Sequence, residues 1–256
     1  MNLAVVNNKG GVGKTTTAVS LAAALAHSGR PVLLVDLDSQ ASASLSLGVA
    51  RANLTPSAAD VVLHNKPIRQ ALRHTSMPNL DLLTGSRALA DTDLVLSTVK
   101  RREYCLKAAL DPIRSVYAWM ILDCPPSLSV VTVNALVAAN AFLVPVTPQY
   151  LALEGLVGLL EAIERIRRST RAGAYLMGVV LNMVDLRTKA SGEIIDLIRT
   201  HYKTLVFNTE IRTTARLLEA PSFGKTIFQY APRSAAAEAY KRLTGEVLAR
   251  ASASRH

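Results

Sequence analysis

Cysteine is scarce in this chain, which has only two among its 256 residues. Cys105 and Cys124 are too few for a disulfide framework and lack the spacing of a metal-binding motif. A reducing, cytoplasmic compartment is therefore expected. The first residues also lack the basic segment and long apolar run of a secretory signal peptide, so no such leader is expected here.

Charged residues are absent from Cys124 to Leu153, a run long enough to cross a bilayer. Four prolines and two asparagines interrupt it, which favours a buried helix followed by a buried parallel strand. Internal repeats, low-complexity tracts and flexible linkers are also missing. Together with the length, this predicts a single domain over residues 1–256.

The net charge is +10, and the basic excess is concentrated late in the chain. Residues 187–256 hold 12 Lys or Arg against 6 Asp or Glu, whereas the first 186 hold 17 against 13. This distribution favours a surface that faces a polyanion. A solvated surface in a generally basic proteome explains the composition equally well.

Short apolar runs alternate with helix-length stretches. This alternation predicts an α/β fold with a mostly parallel, twisted sheet and helices on both faces. Thr55 and Pro56 are typical of an N-cap and first residue of a helix. The predicted strands are Leu3–Val6, Val32–Val35, Leu80–Leu83, Met120–Leu122, Phe142–Val146 and Leu176–Leu181. The predicted helices include Thr15–His27, Leu128–Ala139, Leu151–Arg168 and a last one over about Ser234–Ala249.

The stretch NNKGGVGKTTT, from Asn7 to Thr17, lies between a predicted strand and a predicted helix. That context is typical of a phosphate-binding loop, in which backbone N–H groups and the helix N-terminus surround phosphates. Lys14 is expected to reach the β- and γ-phosphates, Thr15 to bind Mg²⁺ and Thr16 to contact the α-phosphate. The usual glycine is replaced by Asn8, and an additional lysine, Lys9, follows it. The predicted loop contacts with ATP are Lys9, Gly10, Gly11, Val12, Gly13, Lys14, Thr15 and Thr16.

Three aspartates lie at the ends of predicted strands: Asp36 and Asp38 in the segment VLLVDLD, and Asp123 in WMILD. An aspartate at the carboxyl end of a parallel strand beside a phosphate-binding loop commonly holds Mg²⁺. Thr15, Asp36 and Asp123 are the predicted metal residues. A simple helix-capping role remains an alternative, more so for Asp36 than for Asp38 or Asp123.

These motifs resemble the ParA/MinD family of P-loop ATPases, whose deviant Walker A loop reads K-G-G-x-G-K-T-[ST]. The similarity is greatest to the short, Soj-type ParA partitioning ATPases and extends over nearly the whole chain. The matching segments, in order, are KGGVGKTTT, VLLVDLD, PNLDLLTGS, REYCLKAAL, ILDCPPS, TVNALVAA, ALEGL, GVVLNMVD, EAPSFGK and PRSAAAEAY.

The resemblance implies ATP and Mg²⁺ as cofactors and an ATP-dependent homodimer with two nucleotides between the subunits. It implies that Lys9 reaches the partner's nucleotide and that Asp38 positions the attacking water, so Lys9, Lys14 and Asp38 are the expected catalytic residues. Hydrolysis is expected to be slow without a stimulating partner. Asn182 and Asp185 in LNMVD are candidate adenine contacts, with a strand-end turn as the alternative.

The chain departs from the family pattern at two places. The family's D-P-Q-G-N-A-T reads DSQASAS from Asp38 to Ser44, so the rate of dimerisation or hydrolysis is expected to be unusual. The family's I-P-R-N near adenine reads IRTT over residues 211–214, which removes an expected proline. The first strand begins at about residue 3, so no preceding helix-turn-helix domain that reads operator DNA is expected.

The favoured function is chromosome or plasmid partitioning on the nucleoid, with non-specific DNA and a ParB-like (Spo0J-like) stimulator as partners. A positioning ATPase for another cargo and a MinD-like membrane-surface ATPase are the alternatives. The membrane alternative is disfavoured because the C-terminal segment KRLTGEVLARASASRH has Leu243, Val247 and Leu248 but no aromatic residue. A last helix that packs on the domain is expected instead. The candidate DNA contacts are Arg187, Lys189, Arg199, Arg212, Arg216, Lys225 and Arg233, each of which could instead be a solvated surface charge.

Overall fold

Eight strands form the central sheet of the computed structural model, which describes residues 1–185 and 187–254. They are β1 (Asn2–Val5), β2 (Val32–Asp36), β3 (Leu72–His74), β4 (Leu80–Leu83), β5 (Trp119–Asp123), β6 (Ala141–Val146), β7 (Tyr175–Val184) and β8 (Ile211–Arg212). Their order in the sheet is β3-β4-β2-β5-β1-β6-β7-β8. Every neighbouring pair is parallel except β3 and β4. The predicted mostly parallel sheet is confirmed.

Helices cover both faces of this sheet, as the alternation predicted. In chain order they are α1 (Lys14–His27), α2 (Ser42–Ser46), α3 (Ala58–His64), α4 (Thr92–Val95), α5 (Cys105–Leu110), α6 (Val130–Ala138), α7 (Ala152–Thr170), α8 (Lys189–Tyr202), α9 (Ala215–Glu219), α10 (Ile227–Tyr230) and α11 (Ala235–Ala253). Buried side chains of α1, α10 and α11 pack on one face. Those of α3, α5, α6, α7 and α8 pack on the other.

The strands are buried on both faces, which is why they read as continuous apolar runs rather than alternating ones. The six predicted strands all exist, with bounds that shift by up to three residues. The sequence pattern missed β3 and β8, which lie at the two edges of the sheet. Both are short and carry exposed basic side chains, so neither gives an apolar run.

The uncharged run from Cys124 to Leu153 forms α6 and β6, both inside the fold. No helix among the described residues has the length and apolar character needed to cross a membrane.

The predicted helix start at Thr55–Pro56 was wrong by two residues. Ser57 is the N-cap of α3 instead, because its hydroxyl accepts from the Ala59 N–H and Asp60 completes a capping box.

The last helix, α11, packs its bulky apolar side chains into the core. Tyr240, Leu243 and Val247 are fully buried, and the Tyr240 hydroxyl lies 3.5 Å from the Thr17 hydroxyl on α1. The prediction that this helix packs on the domain is therefore confirmed. Its contact with α1 also supports the first turn of the helix that follows the phosphate-binding loop.

Candidate phosphate-binding and magnesium site

The loop between β1 and α1 turns through left-handed backbone at two glycines. Gly11 and Gly13 have φ of 73° and 80°, a region that residues with a Cβ adopt rarely. At Gly13 a Cβ would also overlap the side-chain amide of Asn182. The turn ends directly at the N-terminus of α1, where unpaired N–H groups and the helix dipole favour an anion.

Lys14 is the first residue of α1, and its side chain is buried against the loop. Its ammonium donates to the Lys9 carbonyl at 2.8 Å, so the side chain lies back over the concavity. Burial lowers the pKa of Lys14, whereas the nearby carboxylates of Asp123 and Asp38 act in the opposite direction. A buried cation beside a helix N-terminus is suited to phosphate oxygens.

Asp123 ends β5 and is completely buried, yet neither of its carboxylate oxygens has a hydrogen-bond partner among the described residues. Burial raises the pKa of Asp123 well above its usual range, and the neighbouring Asp36 raises it further. The Thr15 hydroxyl and the Lys14 ammonium are close enough to oppose this shift. An unpartnered buried carboxylate beside a hydroxyl fits Mg²⁺, which proteins hold with few side chains and the oxygens of a bound phosphate.

Asp36 ends β2 directly beside Asp123 in the sheet, but its carboxylate is fully engaged. One oxygen accepts from the Ser44 N–H at 2.8 Å and the Ser44 hydroxyl at 2.7 Å, and the other accepts from the Asp38 N–H at 3.1 Å. Burial raises the pKa of Asp36 to about 6, and the Ser44 donors limit that rise. This arrangement holds the loop from residue 38 to 44 in place. A metal role for Asp36 stays a prediction.

Asp38 lies at the start of that loop and is only half-buried. Its carboxylate accepts from the Gln40 N–H at 3.0 Å and remains near Lys14. Ala41 has φ of 55°, the left-handed conformation that a glycine would adopt without strain. This chain therefore has Ala41 in place of the family's glycine at a position whose backbone conformation favours glycine.

Lys9 is exposed at the outer side of the loop. Its backbone N–H donates to the Asn7 side chain at 2.9 Å, and the Asn7 amide donates to the Pro145 carbonyl at 2.7 Å. The Lys9 ammonium has no hydrogen-bond or ion-pair partner in the described part of the chain. The backbone of Lys9 is thus anchored while its side chain is exposed.

Comparison with known proteins places this site in a family. A family model described as an AAA domain matches residues 1–174. The chain is 41% identical over 250 residues to the chromosome partitioning protein ParA of Caulobacter vibrioides, covering 97% of this chain and 94% of that protein. It is 43% identical to the chromosome-partitioning ATPase Soj of Thermus thermophilus, with coverage of 97% and 95%.

The chain belongs to the ParA/MinD family, in its Soj-type branch. Among solved structures it is similar to cobyrinic acid a,c-diamide synthase from Mycobacterium smegmatis with bound ATP analog and magnesium, at 34% identity and a TM-score of 0.86. That alignment covers 96% of this chain and 93% of the other. The expected family, fold and deviant Walker A loop are confirmed.

In this ParA/MinD chain, Asn182 lies beneath the phosphate-binding loop. It is buried, and its amide donates to the Val12 carbonyl at 3.0 Å and lies 3.3 Å from the Thr17 hydroxyl. Asp185 forms an exposed ion pair with Arg187 at 2.6 Å, and that partner holds the pKa of the carboxyl down at about 2. Adenine contact by Asn182 and Asp185 stays a prediction.

The seven candidate DNA contacts divide into two groups. Arg187, Arg199 and Arg216 each pair with a carboxylate, of Asp185, Glu210 and Glu219 respectively. Arg199 also donates to the carbonyls of Phe207 and Asn208, so it supports the segment before β8. The second group is exposed and without an ion pair among the described residues: Lys189, Arg212, Lys225 and Arg233.

Sequence reasoning missed the residues that position the site from behind. Ser44 joins the ends of two strands, because its hydroxyl donates to Asp36 and accepts from the Gly85 N–H at 3.0 Å. A Cβ at Gly85 would collide with Asp36 and with the Asp38 carbonyl. The signal in the sequence was the small residue Gly85, which follows β4 and could not be linked to Asp36 without the fold.

Proposed function

We propose that this chain is an ATP-dependent DNA-partitioning ATPase that uses ATP and Mg²⁺. The observation that carries the proposal is the buried, unpartnered Asp123 carboxylate beside Thr15 and the phosphate-binding loop. A carboxylate in that state is unfavourable unless a ligand offsets its burial. The partitioning role is supported by the names of the relatives, which include chromosome partitioning ParA and Soj proteins.

The residues of the site have distinct roles in this proposal. The backbone of residues 10–13, with Lys14 and Thr16, binds the phosphates, and Thr15 and Asp123 hold Mg²⁺. With ATP bound, the γ-phosphoryl group would pass to water with ADP as the leaving group, and Mg²⁺ held by Thr15 and Asp123 would neutralise part of the phosphate charge. Asp38 orients the water, and the Asp36–Ser44 contact fixes the loop that carries Asp38.

Lys9 acts across a homodimer in this proposal. Its exposed ammonium on an anchored backbone is suited to neutralise phosphate charge on the partner's nucleotide.

Lys9→Gln should keep ATP affinity within about twofold, because Lys14 and the loop backbone bind the phosphates. It should remove hydrolysis and weaken the ATP-dependent dimer, as measured by turnover and light scattering. Normal turnover with a normal dimer would exclude Lys9 from the mechanism.

The ATP-bound dimer binds nucleoid DNA without sequence preference, and a ParB-like partner stimulates slow hydrolysis and release. The four unpaired basic residues Lys189, Arg212, Lys225 and Arg233 are the preferred contacts. If they engage in both subunits, the slope of log affinity against log salt should be roughly −7 for the dimer and about half that for a monomer.

The experiment uses Asp38→Ala, which removes water positioning and should trap the ATP-bound dimer. Its binding to two unrelated duplexes is measured across a salt series with ATP and with ADP. We expect tight, sequence-independent binding with ATP only, weakened by Arg212→Glu or Lys225→Glu. Arg216→Glu, at an ion-paired position, is the comparison variant and should have a smaller effect. Equal binding with ATP and ADP, or a flat salt response, would refute the DNA switch.

A further inference from the structure

A groove of about 730 Å³ lies between α3 and α5, among the helices on the face of the sheet opposite α1. Ala109 and Pro112 are among its apolar lining residues, and the buried pair Val61 and Ile68 is called its floor below. None of the residues that line it belongs to the phosphate-binding loop or to the strand ends that carry Asp36 and Asp123. The groove is therefore separate from the nucleotide site.

Positive charge surrounds this apolar floor. Lys66, Arg69, Arg101 and Lys107 line the groove against a single acidic residue, Asp111. None of the four cations forms an ion pair with a carboxylate in residues 1–185 and 187–254. Unpaired cations around a concave apolar surface present a strong field to an incoming anion.

Part of the rim is held in position before any partner arrives. The Arg101 guanidinium stacks over the Tyr104 ring at 4.7 Å, and the Tyr104 hydroxyl donates to the Thr170 carbonyl at 2.6 Å. Arg69 donates to the Pro112 carbonyl across the groove at 3.4 Å. Arg101 also has φ of 58°, an unfavourable backbone conformation for a residue with a side chain. Such preorganisation lowers the entropy that binding must overcome.

We propose that this groove binds an acidic amphipathic peptide segment of a partner protein. Apolar side chains of the segment would lie on Val61 and Ile68, and its carboxylates would face the four cations. Duplex DNA fits less well, because its phosphate backbone offers no apolar group to cover the floor. The inference does not depend on the proposed partitioning function, since the groove shares no residue with the nucleotide site.

The probe is a fluorescein-labelled helical peptide of about 16 residues, with leucines at positions i, i+3, i+4 and i+7 and glutamates elsewhere. Fluorescence anisotropy with the full chain should show saturable binding. Lys66→Glu/Lys107→Glu should weaken it at least about tenfold. The matched variant Arg30→Glu/Arg51→Glu makes the same change in net charge outside the groove, at one half-buried and one exposed residue, as Lys66 and Lys107 are, and should remain within about twofold. A peptide with serine in place of leucine should bind at least about fivefold more weakly.

Cys105 provides a second readout, because it lines the groove while Cys124 is buried. Bound peptide should slow alkylation of Cys105 by iodoacetamide, measured by mass spectrometry, and the serine peptide should not. Absence of saturable binding, or equal weakening by the two double variants, would overturn the proposal. Tighter binding of a duplex than of the leucine peptide, lost in Lys66→Glu/Lys107→Glu, would instead make the groove a nucleic-acid site and also overturn it. ATP turnover should be unchanged in every groove variant.

Discussion

Asp36 and Asp123 are neighbours in adjacent parallel strands, and both are completely buried, yet their surroundings differ. Asp36 accepts three hydrogen bonds from Ser44 and Asp38, whereas Asp123 has no hydrogen-bond partner among the described residues. A buried carboxylate with its own donors contributes to the scaffold. One without donors is unfavourable in the protein alone and is suited to a cation brought by a ligand. The hydrogen-bond partners, rather than position at a strand end, therefore distinguish the two carboxylates.

The largest expected effect is that of Asp123→Asn. This change should reduce Mg²⁺-dependent ATP hydrolysis at least about 100-fold, because the proposed magnesium site would lose its main anionic ligand. The nucleotide-free protein should unfold at an equal or higher temperature, since a buried charge without partners is removed. Steady-state turnover and thermal unfolding with and without Mg²⁺ measure the two effects. Unchanged turnover would show that Asp123 does not hold the metal.

Asp36→Asn should show the reverse pattern. Its NH2 group would replace one of the two accepting oxygens and would face a donor of Ser44 or Asp38, so the free energy of unfolding should fall by about 1–3 kcal/mol. If Asp36 affects turnover only through the loop that carries Asp38, turnover should fall less than in Asp123→Asn. Urea unfolding without nucleotide gives the stability, and turnover against Mg²⁺ concentration gives the metal dependence.

Ser44→Ala serves as the graded control for Asp36→Asn. It removes one donor to Asp36 and the acceptor of the Gly85 N–H, so the expected loss is about 1–2 kcal/mol. The Mg²⁺ dependence of turnover should be unchanged in both variants. If Asp36→Asn instead shifts the Mg²⁺ requirement strongly without loss of stability, Asp36 is a metal residue after all and the comparison with Asp123 fails.

The smallest effect is expected at Ala41, within the loop that Asp36 holds. Ala41→Gly should remove the strain of an alanine in left-handed backbone, which is roughly 1–2 kcal/mol. Glycine also gives the unfolded chain more conformational entropy, which lowers the stability by about 0.5–1 kcal/mol. We expect a net stabilisation of about 0.5 kcal/mol in urea unfolding. Ala43→Gly, in the helical backbone of α2, is the matched control and should destabilise by about 1 kcal/mol or more. Destabilisation by Ala41→Gly of the same size as in the control would show that Ala41 is not strained.

The sequence predicted the interior of the sheet better than its edges. Central strands such as β2 and β5 are contiguous apolar runs, so their positions follow from local pattern. The edge strands β3 and β8 are three and two residues long and include basic side chains. Only their pairing with β4 and β7, respectively, defines them as strands. The start of α3 was misplaced because Thr55 and Pro56 resemble an N-cap and a first helical residue, whereas the actual cap depends on the side chains of Ser57 and Asp60.

The sequence by itself determined the phosphate-binding loop, the family and the set of strand-end aspartates, because each depends on residues that are close in the chain. The tertiary structure decided which aspartate has donors, since the path of the loop after β2 brings Ser44 back to Asp36. It also decided that Asn182 supports a loop 170 residues away and that Lys66 and Lys107 share one groove. Hydrogen bonding and charge pairing depend on distance in space, and only the folded chain sets those distances between remote residues.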